Sequence, residues 1–155
     1  ERIAKGETGA FVTDAGTPGV SDPGWRLVSL LLEYGVTLVP IPGPAAVTAL
    51  LSVVHVPLDE YRFVGFLPKK KGHQTKIDEL KQYLQAKEAR GVILYESPNR
   101  MRKTVSEFSG LSVIVGRELT KKFETIYRGA ITPEFVAGLP EKGEYVLLVH
   151  NQTSN

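Results

Sequence analysis

Three groups of ionisable side chains in this sequence have the types and spacing of residues that do chemistry. They are Asp14 in a glycine-rich loop, Glu96 with Arg100, and the group Arg117, Glu118 and Lys121. A carboxylate in such a group can act as a general base, and an arginine or lysine can hold a phosphate or stabilise developing negative charge. The alternative interpretation is a set of internal salt bridges that orient loops, which is the more common role for any single residue of this kind.

Two loops rich in glycine and proline have the composition of a ligand-binding backbone. The first contains Gly16-Thr17-Pro18-Gly19, and the second spans residues 40–47 with the sequence PIPGPAAV. Glycine has no Cβ atom, so a flat ligand can lie against the main chain, while proline fixes the backbone in advance. The spacing matches neither GxGxxG nor GxxxxGK[ST], which argues against a dinucleotide or a P-loop phosphate. An ordinary turn is the alternative interpretation of either loop taken alone.

The elements that must position the first group are two short apolar segments, 10–12 and 36–39, which we predict to be parallel strands. A helix is predicted between them, starting at Asp22-Pro23 and ending before Gly35. In such a βαβ unit a ligand lies outside the carboxyl ends of the strands, where both glycine-proline loops fall. Two strands alone cannot bury such apolar segments on both faces. We therefore expect residues 1–57 to be the C-terminal part of a larger α/β domain, truncated here to a βαβ remnant.

A second α/β domain with a mixed sheet is predicted for residues 58–155, because strand and helix patterns alternate after a linker. Its predicted strands are 63–67, 91–95, 112–116, 124–131 and 145–149. Its predicted helices span 75–90, the segment that begins at Ser97-Pro98, and 133–139. Basic groups follow three of the strands, namely Lys69-Lys71, Arg100 with Arg102 and Lys103, and Arg117 with Lys121 and Lys122. If these strand ends converge, the basic groups face one cleft.

Composition excludes several classes of function. The chain has 155 residues, of which 42% are hydrophobic and 23% charged, as in an average globular protein. It has no cysteine, which excludes disulfides and thiolate chemistry and suggests a cytoplasmic setting. Its three histidines lack metal-ligand spacing, so no metal is expected. The apolar stretch 47–56 is too short to cross a bilayer, so no membrane partner is expected. The net charge of +2 is a weak argument for a polyanionic partner, so local basic clusters matter more.

Six segments, in order along the chain, carry a family resemblance. They are VTDAGTPGVSDPG, PIPGPAAVTAL, FVGFLPKKKG, LYESPNR, GRELTKKFETIYRG and GEYVLLV. Together they resemble the ribosomal RNA methyltransferases of the tetrapyrrole methylase family, and the match extends over nearly the whole chain. The resemblance implies two α/β domains with S-adenosylmethionine in the cleft between them. It also implies a homodimer that methylates the ribose 2′-oxygen of a cytidine in small-subunit ribosomal RNA.

The same resemblance implies roles for individual residues. The cofactor is expected to be lined by Ala15, Gly16, Thr17 and Val20. Its adenosine is expected to touch Ala45 and Ala46. From the second domain, the cofactor is expected to contact Glu96 and Leu119. The resemblance places Thr17 where many members of the family carry an aspartate, and it leads us to expect the family's first glycine-rich loop before Glu1.

The acceptor oxygen and the RNA need further groups. A ribose hydroxyl is a weak acid, so we expect Asp14 or Glu118 to act as the base, with Arg117 and Lys121 orienting RNA phosphate. Lys69, Lys70, Lys71 and Arg100 are expected to bind RNA.

Two alternative functions stay open at this point. The first keeps the cofactor and replaces the RNA by a tetrapyrrole or another small molecule, against which the cationic segments LPKKKG and RELTKK argue. The second is a non-catalytic fragment that binds RNA or dimerises.

Overall fold

The structure is a computed structural model that describes residues 2–86 and 90–151. Its contacts divide the chain into two compact units, Glu1–Ala45 and Ala46–Asn155. Among the described residues, no helix combines the length and apolarity needed to span a membrane.

The first unit contains one α-helix, α1, over Trp25–Glu33, and a short 3-10 turn over Ile3–Lys5. Helix α1 begins two residues later than predicted, because its N-cap is Gly24 rather than Asp22. It ends as predicted, since Gly35 has a φ of +65°, a left-handed conformation that glycine adopts without a Cβ clash.

The two strands of the predicted βαβ unit do not form, which corrects that part of the fold prediction. Residues 10–12 and 36–39 have no strand assignment, and Val12 and Val39 are 78% and 72% exposed. A strand requires a hydrogen-bonded neighbour, and a pair of short strands is marginal in water unless further strands or a packed helix support it. Apolar composition alone is therefore not sufficient to make these segments a sheet.

The second unit carries the predicted mixed sheet. Its elements are α2 (Ala46–Leu51), β1 (Glu60–Phe66), α3 (His73–Gln85), β2 (Arg90–Glu96), α4 (Pro98–Glu107), β3 (Ser112–Arg117), β4 (Thr125–Ala130), α5 (Pro133–Gly138) and β5 (Tyr145–His150). The strand order is β1-β2-β5-β3-β4. Strand β1 is parallel to β2, whereas β5 is antiparallel to both of its neighbours and β4 is antiparallel to β3. The sequence predicts that α3 continues to residue 90. In the structure α3 ends at Gln85 and Arg90 begins β2, while residues 87–89 lie outside the described part.

Both faces of this sheet are covered, which explains why its central strands are apolar at nearly every position between their ends. Side chains alternate between faces along a strand, so Val92 and Leu94 point to one side and Ile93 to the other. The first side packs against α3, α4 and α5 through residues such as Leu80 and Phe108. On the second side, Ile93 packs in a cluster with side chains of α2.

Helix α2 was not predicted from the sequence, and it belongs to the second unit. Its residues Val47 and Leu50 are buried with Ile93 and Leu148 of the sheet. Full burial of a leucine side chain contributes about 1.5–3 kcal/mol, which favours this placement of the helix. The domain boundary between residues 57 and 58 stays a prediction, and the compact units divide at Ala45 and Ala46.

Candidate functional site

The carboxyl ends of β1, β2 and β3 meet at one edge of the sheet. Strand β5 is antiparallel to both β2 and β3, so these two strands share a direction, and β1 is parallel to β2. At the start of β5, Tyr145 pairs with Glu96 on one side and with Arg117 on the other. The predicted basic groups therefore follow strand ends that do converge, and the edge they share is the candidate site of the second unit.

Glu96 is fully buried at this edge and is surrounded by the chain's own donors. Its Oε1 accepts hydrogen bonds from Ser97 N at 2.8 Å and from Ser97 Oγ at 3.2 Å. Its Oε2 accepts one from Thr104 Oγ1 at 2.7 Å and lies 3.2 Å from Arg100 NH2. A buried carboxylate is costly unless it is paired and hydrogen-bonded, and this one is both. The carboxylate therefore stabilises the start of α4, and its contact with a cofactor stays a prediction.

Arg100 holds the loop that carries the predicted RNA-binding lysines. We call residues 67–72 the lysine loop. Both terminal nitrogens of Arg100 lie 3.4 Å from the carbonyl oxygen of Leu67, and NH2 lies at the same distance from that of Pro68. Together with the ion pair to Glu96, these contacts occupy the guanidinium. Arg100 therefore positions the lysine loop, and direct contact with RNA stays a prediction.

His73 fixes the same loop from α3. Its Nδ1 lies 2.8 Å from Pro68 O, and its Nε2 lies 2.8 Å from Glu107 Oε2. The ring therefore connects the lysine loop to Glu107 of α4. Lys69, Lys70 and Lys71 are exposed on the anchored backbone, which leaves their ammonium groups facing solvent.

Glu118 and Lys121, predicted as a base and a phosphate contact, form an internal network with Glu144. Glu118 Oε1 accepts a hydrogen bond from Glu144 N at 2.6 Å, and Glu118 N donates one to Glu144 O at 3.0 Å. Lys121 Nζ lies 2.8 Å from Glu144 Oε2 and 3.6 Å from Glu118 Oε1. Arg117 adds a hydrogen bond of 2.6 Å from Nε to Lys142 O. The structure thus brings the three predicted residues together, in the internal arrangement that the sequence analysis weighed as the alternative.

This network shifts the acidities of its members. The hydrogen bond from the Glu144 backbone, followed by the charges of Lys121 and Arg117, lowers the pKa of Glu118 below its ordinary value. The hydrogen bond to Glu144 is also the largest cause of a raised pKa at Lys121. A general base works best when its pKa lies near the working pH. The lowered pKa therefore counts against Glu118 as the candidate base. The roles of Glu118 and of the exposed Asp14 as bases both stay predictions.

Leu119 lies between two residues with unusual backbone conformations. Glu118 and Thr120 have φ values of +50° and +66°, which side chains other than glycine rarely adopt. Leu119 packs so closely on Gly116 that a Cβ at position 116 would lie 2.9 Å from Leu119 Cδ1. Strained backbone persists where the surroundings fix it, and it is frequent at ligand sites. The loop thus places Leu119 in a fixed position, and its cofactor contact stays a prediction.

In the first unit, the two glycine-proline loops contact each other. Thr17 Oγ1 donates a hydrogen bond of 3.1 Å to Pro44 O. Gly16 has a φ of +79°, and a Cβ at this position would lie 3.6 Å from the same carbonyl oxygen. Ala15, Gly16 and Val20 are exposed beside this contact, as is Asp14. The two loops therefore form one small-residue surface of open backbone, to which Ala45 is attached as the residue after Pro44.

A hollow of about 570 Å³ lies elsewhere in the first unit. Its lining includes Ile3, Leu27, Leu31 and Tyr34 and none of the predicted cofactor residues. Among residues 2–86 and 90–151, no three His, Cys, Asp or Glu side chains come together as a possible metal site.

Several residues of the site have no signal in the sequence. Thr104 bonds to Glu96, eight residues before it, whereas His73 and Glu144 bond to residues 34 and 26 positions away along the chain. Tyr145 donates from its hydroxyl to Pro140 O at 2.8 Å, and burial raises the pKa of this phenol. In the sequence, Tyr145 stands at the start of an apolar strand. This position indicates that Tyr145 lies at a strand end, but it does not identify the residues around it.

Comparison with known proteins identifies the family. The model of the family described as "Tetrapyrrole (Corrin/Porphyrin) Methylases" matches residues 1–133. A protein of Vibrio cholerae named "Ribosomal RNA small subunit methyltransferase I" is 41% identical over 161 residues, covering 97% of this chain and 54% of the relative. Proteins of the same name from Mesorhizobium japonicum and Leptospira biflexa are each 39% identical, covering 93% and 98% of this chain and 50% and 64% of the relatives. The chain thus spans about half to two thirds of the length of these curated relatives.

Two solved structures share the fold. The methyltransferase CobJ has a TM-score of 0.59 and 19% identity, covering 90% of this chain and 64% of that chain. The cobalt precorrin-4 methyltransferase CbiF has a TM-score of 0.53 and 18% identity, covering 81% of this chain and 57% of that chain. The match of the family model over residues 1–133 and the agreement of fold lead to one conclusion: this chain belongs to the tetrapyrrole methylase family.

Proposed function

We propose that the chain is part of an S-adenosylmethionine-dependent methyltransferase that acts on the ribose 2′-oxygen of a cytidine in small-subunit ribosomal RNA. The observation that carries this proposal is the 41% identity, over 97% of the chain, to a relative named for methylation of small-subunit ribosomal RNA. The exposed lysine loop supports an anionic acceptor. The proposal includes a homodimer, which rests on the family resemblance alone, and a cytoplasmic location, which rests on the absence of cysteine.

The surface formed by the two glycine-proline loops fits the proposed cofactor. Gly16 leaves the backbone open beside Pro44 O, and the hydrogen bond from Thr17 fixes the distance between the loops. S-adenosylmethionine supplies a methyl group on a sulfonium, which needs close approach of small residues rather than a phosphate cradle. We propose that Ala15, Gly16, Thr17, Val20 and Ala45 bind it. Ala46, Glu96 and Leu119 are included on the resemblance alone.

The proposed chemistry needs positioning more than covalent help from the protein. Holding the donor and the ribose oxygen in line supplies much of the acceleration through proximity. We propose that Asp14 accepts the proton of the ribose hydroxyl, since its carboxylate is exposed and the pKa of Glu118 is lowered. Arg117 and Lys121 remain proposed phosphate contacts, although their hydrogen bonds to Lys142 and Glu144 favour a structural role.

The test measures methyl transfer by the complete protein that contains these residues. Small-subunit particles lacking the modification are incubated with methyl-labelled S-adenosylmethionine, digested to nucleosides and analysed by mass spectrometry. We expect labelled 2′-O-methylcytidine, and loss of the product with Asp14→Asn. Absence of label in the particles, or label in a precorrin supplied in parallel, contradicts the assignment to RNA. Light scattering of the same protein tests the homodimer.

A further inference from the structure

An irregularity in β1 places two phenylalanines on one face of the sheet. Phe63 pairs with Ile93 and Phe66 pairs with Tyr95, so β1 advances by three residues where β2 advances by two. Gly65, within this bulge, has a φ of +62°. Without the extra residue, two positions three apart on a strand point to opposite faces. The bulge therefore turns Phe66 to the side of Phe63.

Both phenylalanines contact Tyr95. The ring centroids of Phe63 and Tyr95 are 5.1 Å apart with an interplanar angle of 69°, and those of Phe66 and Tyr95 are 5.7 Å apart at 59°. Such edge and tilted contacts leave a ring face available on the outer member of the group. Phe66 is that member, since it is 56% exposed, compared with 36% for Phe63. We call Phe63, Phe66 and Tyr95 the aromatic surface.

The lysine loop follows directly from Phe66. It has the sequence Leu67-Pro68-Lys69-Lys70-Lys71-Gly72, with three exposed cations and no carboxylate. Its backbone is held by Arg100 and His73 through the carbonyls of Leu67 and Pro68. The three lysines therefore follow the exposed ring of Phe66 on a backbone that is already fixed, so binding a ligand costs little backbone conformational entropy.

We propose that the aromatic surface and the lysine loop together bind a single-stranded segment of RNA, with one base stacked on Phe66 and neighbouring phosphates on Lys69, Lys70 and Lys71. Single-stranded RNA is recognised by stacking of unpaired bases on aromatic side chains together with cations that follow the backbone. An exposed phenylalanine adjoining three cations matches both requirements. This inference rests on the proposed function, which supplies RNA as the partner, and adds a stacking contact to it.

The experiment measures binding without cofactor or turnover. A fluorescein-labelled single-stranded RNA of about ten nucleotides, within the range of known single-strand sites, is titrated with the full chain and followed by anisotropy. Phe66→Leu keeps an apolar side chain but removes the ring, Phe66→Tyr restores a ring, and Tyr61→Leu is the matched control. Tyr61 is 48% exposed on the same strand, five residues before Phe66.

Stacking predicts that Phe66→Leu weakens binding roughly 5- to 150-fold, that Phe66→Tyr retains affinity, and that Tyr61→Leu has little effect. Changing the three lysines to glutamine should lower the slope of log affinity against log salt by about 2, because each phosphate contact on a single strand contributes about 0.7. Phe66→Leu should leave that slope unchanged.

A direct readout uses the fluorescence of a new indole. The chain has a single tryptophan, Trp25, so Phe66→Trp in a Trp25→Phe background gives a single indole, at the proposed contact, which is excited selectively over the tyrosines. Quenching on addition of RNA supports stacking. RNA binding that is equal for wild type and Phe66→Leu overturns the inference, as does absence of RNA binding by the wild type.

A loss of S-adenosylmethionine affinity without a loss of RNA affinity in Phe66→Leu also overturns it, because the ring would then contact the cofactor. Methyl transfer is measured separately, so Phe66-dependent RNA binding without transfer contradicts the proposed function and leaves this inference standing.

Discussion

Replacing Arg100 by methionine tests whether the buried carboxylate of Glu96 depends on its cation. The substitution removes the guanidinium that lies 3.2 Å from Glu96 Oε2 and keeps an unbranched side chain of similar reach. It also removes the contacts of Arg100 with the carbonyls of Leu67 and Pro68. These are 3.4 Å long, so they contribute less than the ion pair.

The expected loss follows from the burial of the two partners. Removing one member of a buried ion pair costs about 3–5 kcal/mol, because the other charge is left without compensation. The Glu96 side chain is 0% exposed, but that of Arg100 is 20% exposed, and Glu96 keeps its hydrogen bonds from Ser97 and Thr104. These remaining donors reduce the loss, so we expect Arg100→Met to lower the free energy of unfolding by about 2–3 kcal/mol.

Urea unfolding followed by tyrosine near-UV circular dichroism measures this change, since five of the six tyrosines lie in the second unit. In the double variant Glu96→Gln/Arg100→Met the buried charge is absent, so the additional cost of losing Arg100 should fall below about 1 kcal/mol. Lys103→Met, at an exposed position of the same helix, should stay within about 0.5 kcal/mol of the wild type.

Two results would refute this reasoning. The first is a change below about 0.5 kcal/mol for Arg100→Met, which is the range of ordinary surface substitutions. The second is an equal loss from Arg100→Met in the wild-type and Glu96→Gln backgrounds, which would mean that the two side chains are not energetically coupled.

Three further predictions concern Glu118, Gly116 and Thr17. The pKa of Glu118 is lowered in the folded state, so its contribution to stability is complete above the ordinary glutamate pKa. This contribution is lost as the pH falls through the folded-state pKa. The unfolding free energies of wild type and Glu118→Gln should therefore differ most at neutral pH and converge in acid. Gly116→Ala should cost about 1–3 kcal/mol by urea unfolding, since the new Cβ would lie 2.9 Å from Leu119 Cδ1, whereas Gly138→Ala, with no atom within 4 Å, should cost much less. Thr17→Val should weaken S-adenosylmethionine binding by the complete protein roughly 2- to 10-fold by calorimetry, and Thr17→Ser should not, because the hydrogen bond to Pro44 O needs only the hydroxyl. Equal affinities of these two Thr17 variants would contradict the last expectation.

Sequence patterns predicted the elements whose signal is local. The run 91–95 is apolar at nearly every position, as expected for a strand buried on both faces, and it forms β2. Helix α2 was missed although its sequence carries a helical signal. Val47, Leu50, Leu51 and Val54 are spaced as i, i+3, i+4 and i+7, and the polar residues Thr48, Ser52 and His55 fall between them. The segments 10–12 and 36–39 have the composition of strands, but strand formation depends on a neighbour that composition does not reveal.

The sequence predicted which strand ends carry the site, but not which side chains contact each other there. Placing basic groups after β1, β2 and β3 requires only the order of elements along the chain. Arg100 donates a hydrogen bond to Leu67, which is 33 residues away along the chain. Glu118 accepts one from Glu144, which is 26 residues away. Such contacts depend on the register of strands that pair far apart in sequence. The sequence therefore does not show that Arg100 and Arg117, predicted to contact RNA, also donate hydrogen bonds to backbone carbonyls.

The central position of β5 has a consequence for the order of folding. Strand β5 is the last of the five strands along the described residues, and it pairs with β2 and with β3, which do not pair with each other. During synthesis from the N-terminus, β1 with β2 and β3 with β4 can therefore assemble only as separate pairs until residues 145–150 emerge. Premature termination before this strand would leave two open apolar edges, a configuration prone to aggregation. Completion of this sheet thus depends on the strand that is synthesised last among the five.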